Sequence, residues 1–296
     1  MTTHSFRLPP MRPLDEVRRP AAAMPAGACD THMHIFGPLS EYPMYPKSRY
    51  PLPEGATYEH WLALMERLGL ERFVIVQPSF YDTDNRFALD VLKWAGQRAR
   101  GVAMIDLDIS DQELERYHAL GVRAVRVDLF KRAALPISEI EDYVRAIVAR
   151  IAPLGWHLQF YAPGNVVRDL LGLMARLDMD LVVDHMGYML HDETLTDADF
   201  ERLLDLTVNA RVHIKLTGAY RLRKDGDYSA VHRVARAIVE RAPDRTIWGT
   251  DWPHVPYLGF DTGELVDMLS IWAPDDETRR KTLVDNPARM FGFDAS

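Results

Sequence analysis

The chain carries a single cysteine, Cys29, among 296 residues. One thiol excludes an internal disulfide framework and suits a reducing compartment. Cys29 stands three residues before His32, but it reads as a small buried hydrophobe rather than a reactive thiol. A basic excess is missing too: 35 Lys and Arg face 43 Asp and Glu, for a net charge of −8 with both signs interspersed. That leaves no footprint for nucleic acid and no polybasic patch for a membrane surface. No stretch approaches the roughly 18 apolar residues of a membrane span. The first 26 residues are rich in Pro, Arg and Ala and contain no apolar run of the secretory type. No Pro/Gly/Ser linker divides the remainder. These absences describe a cytoplasmic protein with an extended N-terminal arm over residues 1–26 and one large domain over 27–296. The arm is expected to lie on the body or on a partner subunit of a homo-oligomer.

What is present is an alternation of short apolar runs with amphipathic stretches. Strands are expected at Ala28–His34, Arg72–Gln77, Gly101–Leu107, Val122–Val127, His157–Tyr161, Leu181–Asp184, Val212–Leu216 and Thr246–Gly249. Helices are expected at Tyr58–Leu68, Asn85–Arg98, Asp111–Ala119, Ile137–Ile151, Asn165–Leu177, Thr196–Val208 and Ala230–Arg241, then at Thr262–Trp272 and Asp276–Asp285. Runs such as Phe73-Val74-Ile75-Val76 are how strands of a parallel sheet read when both faces are covered. Eight strands, each followed by a helix, predict a (β/α)8 TIM barrel. An open doubly wound sheet would usually carry a Gly-rich turn after its first strand. Here that turn reads His34-Ile35-Phe36-Gly37-Pro38, with no G-x-G-x-x-G.

In such a barrel the chemistry sits at the carboxyl ends of the strands. His32 and His34 alternate with Met33, so a strand points both imidazoles to one side. Strand two leads to Ser79, strand four carries Arg126 with Arg132 beyond it, and strand five ends in Tyr161. Strand six delivers His185, strand seven leads towards Arg221, and strand eight delivers Asp251. A lone histidine in such a place is commonly a packed core group. Four titratable groups at three strand ends are too costly to bury unless hydrogen-bonded, metal-bound or catalytic. His32, His34, His185 and Asp251 are therefore the candidate catalytic set.

The words Thr31-His32-Met33-His34-Ile35-Phe36-Gly37, Asp184-His185-Met186-Gly187 and Trp248-Gly249-Thr250-Asp251-Trp252-Pro253-His254 resemble the amidohydrolase superfamily. Within it they resemble the group that contains 2-pyrone-4,6-dicarboxylate lactonase and D-galactarolactone isomerase. The similarity runs from about Gly27 to the C-terminus and includes Val74-Ile75-Val76-Gln77, Thr83-Asp84-Asn85 and Asp285-Asn286-Pro287. The resemblance implies a small anionic lactone as substrate and carboxylate-clamping roles for Arg126 and Arg132; Arg221, whose loop departs from the lactonase pattern, is a third candidate. Arg suits that task by its planar, bidentate fork. Ser79 and Tyr161 join them as candidate substrate-binding residues. The loop Glu41–Pro51 is rich in Tyr and Pro and reads as a lid, with Lys47 and Tyr50 best placed to reach a ligand.

Binuclear members of the superfamily also use a carbamylated Lys on strand four and a His on strand five. This chain has no Lys within strand four, and strand five ends in Tyr161. One Zn²⁺ or Mn²⁺ could be held by His32, His34, His185 and Asp251. The resemblance nevertheless favours no cofactor, with the histidines donating to a carbonyl oxygen and its developing oxyanion. The expected activity is isomerisation of a sugar-diacid lactone of the D-galactarolactone kind, in which a substrate hydroxyl attacks the acyl carbon. Phe80, Tyr81 and Tyr188 depart from the lactonase pattern and support that choice. The alternative is hydrolysis of a small carboxylated lactone, with Asp251 activating water. A metal-dependent decarboxylase is third, and a ligand-binding barrel without catalysis is a fourth reading.

Overall fold

A computed structural model describes residues 16–48, 53–190, 194–257 and 259–294. Eight parallel strands follow one another around a single sheet in chain order. They are β1 (Cys29–Met33), β2 (Arg72–Val76), β3 (Ala99–Ala103), β4 (Val122–Asp128), β5 (His157–Tyr161), β6 (Leu181–Val183), β7 (Val212–Leu216) and β8 (Thr246–Trp248). Helices intervene between them, so the molecule is the (β/α)8 barrel that the alternation predicts. The extension of β8 closes the ring on β1: Asp251 N–H donates to the His32 carbonyl at 2.7 Å, and His34 N–H donates to that of Trp252 at 2.8 Å. Gly249 makes this approach possible, because a Cβ there would lie 2.6 Å from the His32 nitrogen.

The strands bury two faces. Val74, Val76, Val102, Ala124, Val182 and Ile247 fill the barrel interior with Cys29. Their neighbours Phe73, Ile75, Val125, Val127, Leu158, Phe160, Ile214 and Leu216 pack outwards against the helices. On β1 the phase changes midway. Cys29 belongs to the interior, while Met33 belongs to the outer layer. The β1–β2 register shifts between Asp30 and Met33, as a bulge of one extra residue requires. The bulge puts His32 and His34 on the inner side. It is held by Asp30, whose Oδ1 accepts from the His32 and Thr250 N–H groups at 2.8 and 3.1 Å.

Several expected boundaries move. β3 is Ala99–Ala103 rather than Gly101–Leu107. The Asn85 side chain takes over the backbone at Met104, accepting from its N–H and donating to its carbonyl, and so ends the ladder. The helix expected to reach Arg98 stops at Ala95, before Gly96 at φ +58°. The expected Thr262–Trp272 helix divides at Met268 into Thr262–Asp267 and Leu269–Trp272. The last helix continues past Asp285 through a π-turn into Asn286–Phe291.

Residues 16–26 form neither helix nor strand and lie across the barrel's own helices. Arg67 donates to the Val17 carbonyl, Arg18 pairs with Asp267 at 2.6 Å, and Ala21 N–H donates to Asp267 at 2.7 Å. Among the described residues, no helix is long and apolar enough to cross a membrane.

Candidate active site

His34, His185 and Asp251 line one cavity together with Ser79, Arg126, Tyr161 and Arg221; Phe36, Pro78, Phe80 and Val255 supply its apolar wall. Strand alternation explains Arg126, which points inwards between outward-facing Val125 and Val127. His185 and Asp251 follow the ends of β6 and β8 in left-handed backbone conformations, at φ +52° and +59°. Such conformations are sparsely populated for residues with a Cβ, and surrounding bonds must hold them. Thr217 Oγ1 accepts from the His185 N–H at 3.2 Å and lies 2.8 Å from its Nδ1. Gly218 is required beside it, since a Cβ there would lie 2.7 Å from His185 Nδ1.

Asp251 is the hub. Its Oδ2 accepts from Tyr220 Oη at 2.5 Å and from Arg221 Nε at 2.7 Å. Its Oδ1 is buried without a hydrogen-bond partner among the described residues. His34 Nε2 lies 3.5 Å from that oxygen and His32 Nε2 lies 3.7 Å from it. Burial alone would raise the Asp251 carboxyl, but the Arg221 guanidinium, together with His185, His34 and His32, outweighs it and holds the group well below the usual carboxylate range. Burial lowers all three histidines, with His185 pulled down to about 4, so they are neutral at pH 7. His34 Nδ1 lies 2.7 Å from the Val76 carbonyl. A carbonyl only accepts, so Nδ1 carries the proton and Nε2 presents a lone pair.

The expected residues divide in the structure. His34, His185, Asp251, Arg126, Arg221, Ser79 and Tyr161 come together in the cavity. His32 does not line it; it is fully buried behind Asp251. Arg132 stacks on Tyr143 at 3.8 Å, away from the lining residues. Lys47 is exposed in the loop after β1, outside that lining, and Tyr50 lies outside the described residues. The described part of that loop reaches the site indirectly, through Tyr45 N–H donating to the Phe80 carbonyl at 2.9 Å. Of the three departures noted in the sequence, Phe80 lines the cavity. Tyr81 instead accepts from Gly37 N–H at 2.9 Å, and Tyr188 packs edge-on against His185.

Arg126 donates from Nη2 to the Gln77 carbonyl at 2.8 Å, while its buried Nε has no partner among the described residues. Ser79 Oγ donates to Asp128 Oδ2 at 2.5 Å. Arg126 thus brings a buried guanidinium to the cavity lining, a group whose charge and N–H geometry can pair with an anion.

Sequence reasoning passed over Tyr220 and a second layer beneath His32. In that layer Lys215 contacts Gln159, Asp184 and His32, all buried. The signal for Lys215 and Gln159 was there: each stands between two outward apolar residues of a buried strand, Ile214/Leu216 and Leu158/Phe160. An inward Lys or Gln at such a position has to find partners.

His32, His185 and Asp251 present ligand atoms within 4.8 Å of one another. With His32 Nε2 and Asp251 Oδ1 lacking partners, this donor set fits a single divalent ion by residue type and spacing.

The chain matches the amidohydrolase family over residues 29–293. It is 37% identical over 285 residues to the 2-pyrone-4,6-dicarboxylate hydrolase of Comamonas testosteroni, covering 92% of each chain. Identity is 34% over 274 residues with the 4-sulfomuconolactone hydrolase of Hydrogenophaga intermedia, over 91% of this chain and 90% of that one. It is 30% over 279 residues with the D-galactarolactone isomerase of Agrobacterium fabrum, over 92% and 93%. An apo crystal structure of an Agrobacterium tumefaciens protein superposes with a TM-score of 0.82 at 29% identity, over 94% of this chain and 100% of that one. By its eight-stranded barrel, its strand-end histidines and aspartate, and these full-length similarities, the chain belongs to the amidohydrolase family.

Proposed function

We propose that this enzyme hydrolyses a small lactone bearing a carboxylate or similar anionic group. The observation that carries the proposal is the pairing of two acceptors, His34 Nε2 and Asp251 Oδ1, 3.5 Å apart in a cavity that also holds Arg126 and Arg221. Two neighbouring acceptors call for a molecule that bridges them from the cavity side with two protons, and water is the smallest. The similarity supports the same choice. The two relatives named as hydrolases are more identical to the chain than the isomerase is, which reverses the preference drawn from the sequence. Of the departures that suggested isomerisation, Tyr81 and Tyr188 are not among the cavity's lining residues.

Arg126 binds the substrate anion, with Tyr161 beside it; their separation is 4.9 Å from guanidinium to ring centroid. Water held by His34 and Asp251 attacks the lactone carbonyl, and its proton passes to Asp251. Thr217 Oγ1 accepts from the His185 backbone N–H, so its own proton is available to Nδ1 and the imidazole proton sits on Nε2. From there His185 donates to the developing oxyanion. The ring C–O bond then breaks, and Asp251 returns its proton to the leaving oxygen. A substrate anion that also engages Arg221 weakens the Arg221–Asp251 pair and makes Asp251 a stronger base in the complex. A divalent ion held by His32, His185 and Asp251 would supply Lewis-acid polarisation of the carbonyl.

Incubation with 2-pyrone-4,6-dicarboxylate, 4-sulfomuconolactone and a sugar-diacid lactone in H₂¹⁸O separates the outcomes. Hydrolysis gives the open acid as first product, with one ¹⁸O in its new carboxylate and release of a proton. A second lactone appearing first, without ¹⁸O, would establish isomerisation instead.

A further inference from the structure

Behind the cavity, Lys215 of β7 is completely buried. Its Nζ has three hydrogen-bond partners: Gln159 Oε1 at 2.9 Å, the Thr31 carbonyl at 3.1 Å and His32 Nδ1 at 3.3 Å. An ammonium has three N–H groups and no lone pair. The Asp184 carboxylate balances its charge from 3.3 Å, and Asp184 is itself anchored by Gln159 Nε2 at 2.9 Å. Two groups therefore compete for His32 Nδ1. Lys215 can only donate to it, whereas Asp184 Oδ1, 3.5 Å away, could only accept from it. The shorter contact with hydrogen-bonding geometry is the one to Lys215.

We infer that Lys215 is a positioning residue that makes His32 Nδ1 an acceptor, so that His32 carries its proton on Nε2, aimed at the free oxygen of Asp251. The two histidines of the strand then hold opposite tautomers. His34, with Nδ1–H on the Val76 carbonyl, offers a lone pair to the cavity; His32 offers a proton to Asp251 Oδ1 from behind. Lys215 and His32 form a line of donors that ends on the Asp251 carboxylate and orients it without touching substrate. The proton on His32 Nε2 also occupies the lone pair that a divalent ion at His32, His185 and Asp251 would require. Binding an ion there demands that His32 give up its bond from Lys215. The tautomers rest on the geometry of the free enzyme, and only their catalytic consequence rests on the proposed hydrolysis.

The test is long-range ¹H–¹⁵N correlation NMR of the free protein labelled with [¹⁵N]histidine, with His32→Asn and His34→Asn assigning the signals. The expected result is an Nε2–H tautomer for His32 and an Nδ1–H tautomer for His34. In Lys215→Met, His32 is expected to switch to Nδ1–H, donating to Asp184. In Asp184→Asn it is expected to remain Nε2–H. In hydrolysis assays Lys215→Met should lose roughly 10- to 100-fold in kcat with KM little changed, the usual scale for a partner one layer behind a catalytic group. An Nδ1–H tautomer of His32 in the wild type overturns the inference, and this spectrum decides it even if Lys215→Met fails to fold. A folded Lys215→Met that keeps Nε2–H also overturns it. Absence of lactone hydrolysis in the wild type, with the tautomers as stated, would overturn the proposed function and leave this inference standing.

Discussion

Arg221 Nε donates to Asp251 Oδ2 at 2.7 Å, and the two side chains are 9% and 0% exposed. Removing one partner of such a buried pair strands the other, at a cost of about 3–5 kcal/mol. Arg221→Met should therefore lower the urea midpoint strongly. It should also change the pH profile. In the wild type Arg221 keeps Asp251 ionised well below the usual carboxylate range, so the acid limb of kcat/KM owes nothing to this group near neutrality. Without Arg221 burial dominates, the carboxyl's pKa rises, and the acid limb moves to higher pH. An unchanged limb in a folded variant would remove Asp251 from the role of base.

Two arginines that the sequence treats alike should behave differently. Arg126 stands in the cavity with a partnerless buried Nε, whereas Arg132 stacks on Tyr143. Arg126→Met should raise KM by about 10- to 100-fold, the loss of one charge-assisted hydrogen bond of roughly 1.5–3 kcal/mol. Its thermal midpoint should hold or increase, because an incompletely satisfied buried cation is removed. Arg132→Met should leave KM unchanged and cost about 0.5–1 kcal/mol of stability through the lost cation–π contact. Steady-state kinetics beside thermal melts of both variants checks the pair.

Metal removal tests the carboxylate hub. With Asp251 already paired to Arg221 and Tyr220, dialysis against a chelator is expected to leave kcat/KM within about twofold of its starting value. Activity abolished by the chelator and restored by Zn²⁺ or Mn²⁺ would instead assign His32, His185 and Asp251 to an ion.

Acid should destabilise this protein through its neutral buried histidines. Burial pulls His157 down to about 3 and His185 and His254 to about 4. In the unfolded chain these groups bind a proton below about 6.5, so the unfolded state takes up protons that the folded state refuses. The stability they contribute is complete above pH 6.5 and falls as pH drops towards 4. Each costs about 1.4 kcal/mol per pH unit across that window. Urea denaturation between pH 7 and 4 should show the loss, and His157→Leu, at the opposite end of β5 from the cavity, should reduce its slope by one histidine's share.

The barrel was legible in the sequence because its causes are local. Apolar runs of four or five residues, amphipathic stretches and their strict alternation are properties of neighbours along the chain. His157–Tyr161, Val212–Leu216 and three helices keep their expected limits for that reason. β3 moved because its end is set by Asn85, 19 residues away from Met104, and no local pattern carries that bond. The strand-end positions of His34, His185 and Asp251 were also readable, since alternation and strand ends suffice to place them.

The division of labour among these residues was decided only in three dimensions. His32 and His34 look equivalent in Thr31-His32-Met33-His34. One meets Lys215 from β7 behind Asp251, the other meets the Val76 carbonyl from β2, and only the second lines the cavity. Arg126 and Arg132 are six residues apart in sequence, yet one ends inside the barrel mouth and the other against a helix. A side chain's type follows from the sequence. Its protonation and partners depend on groups from other strands and helices that only the assembled barrel brings within reach.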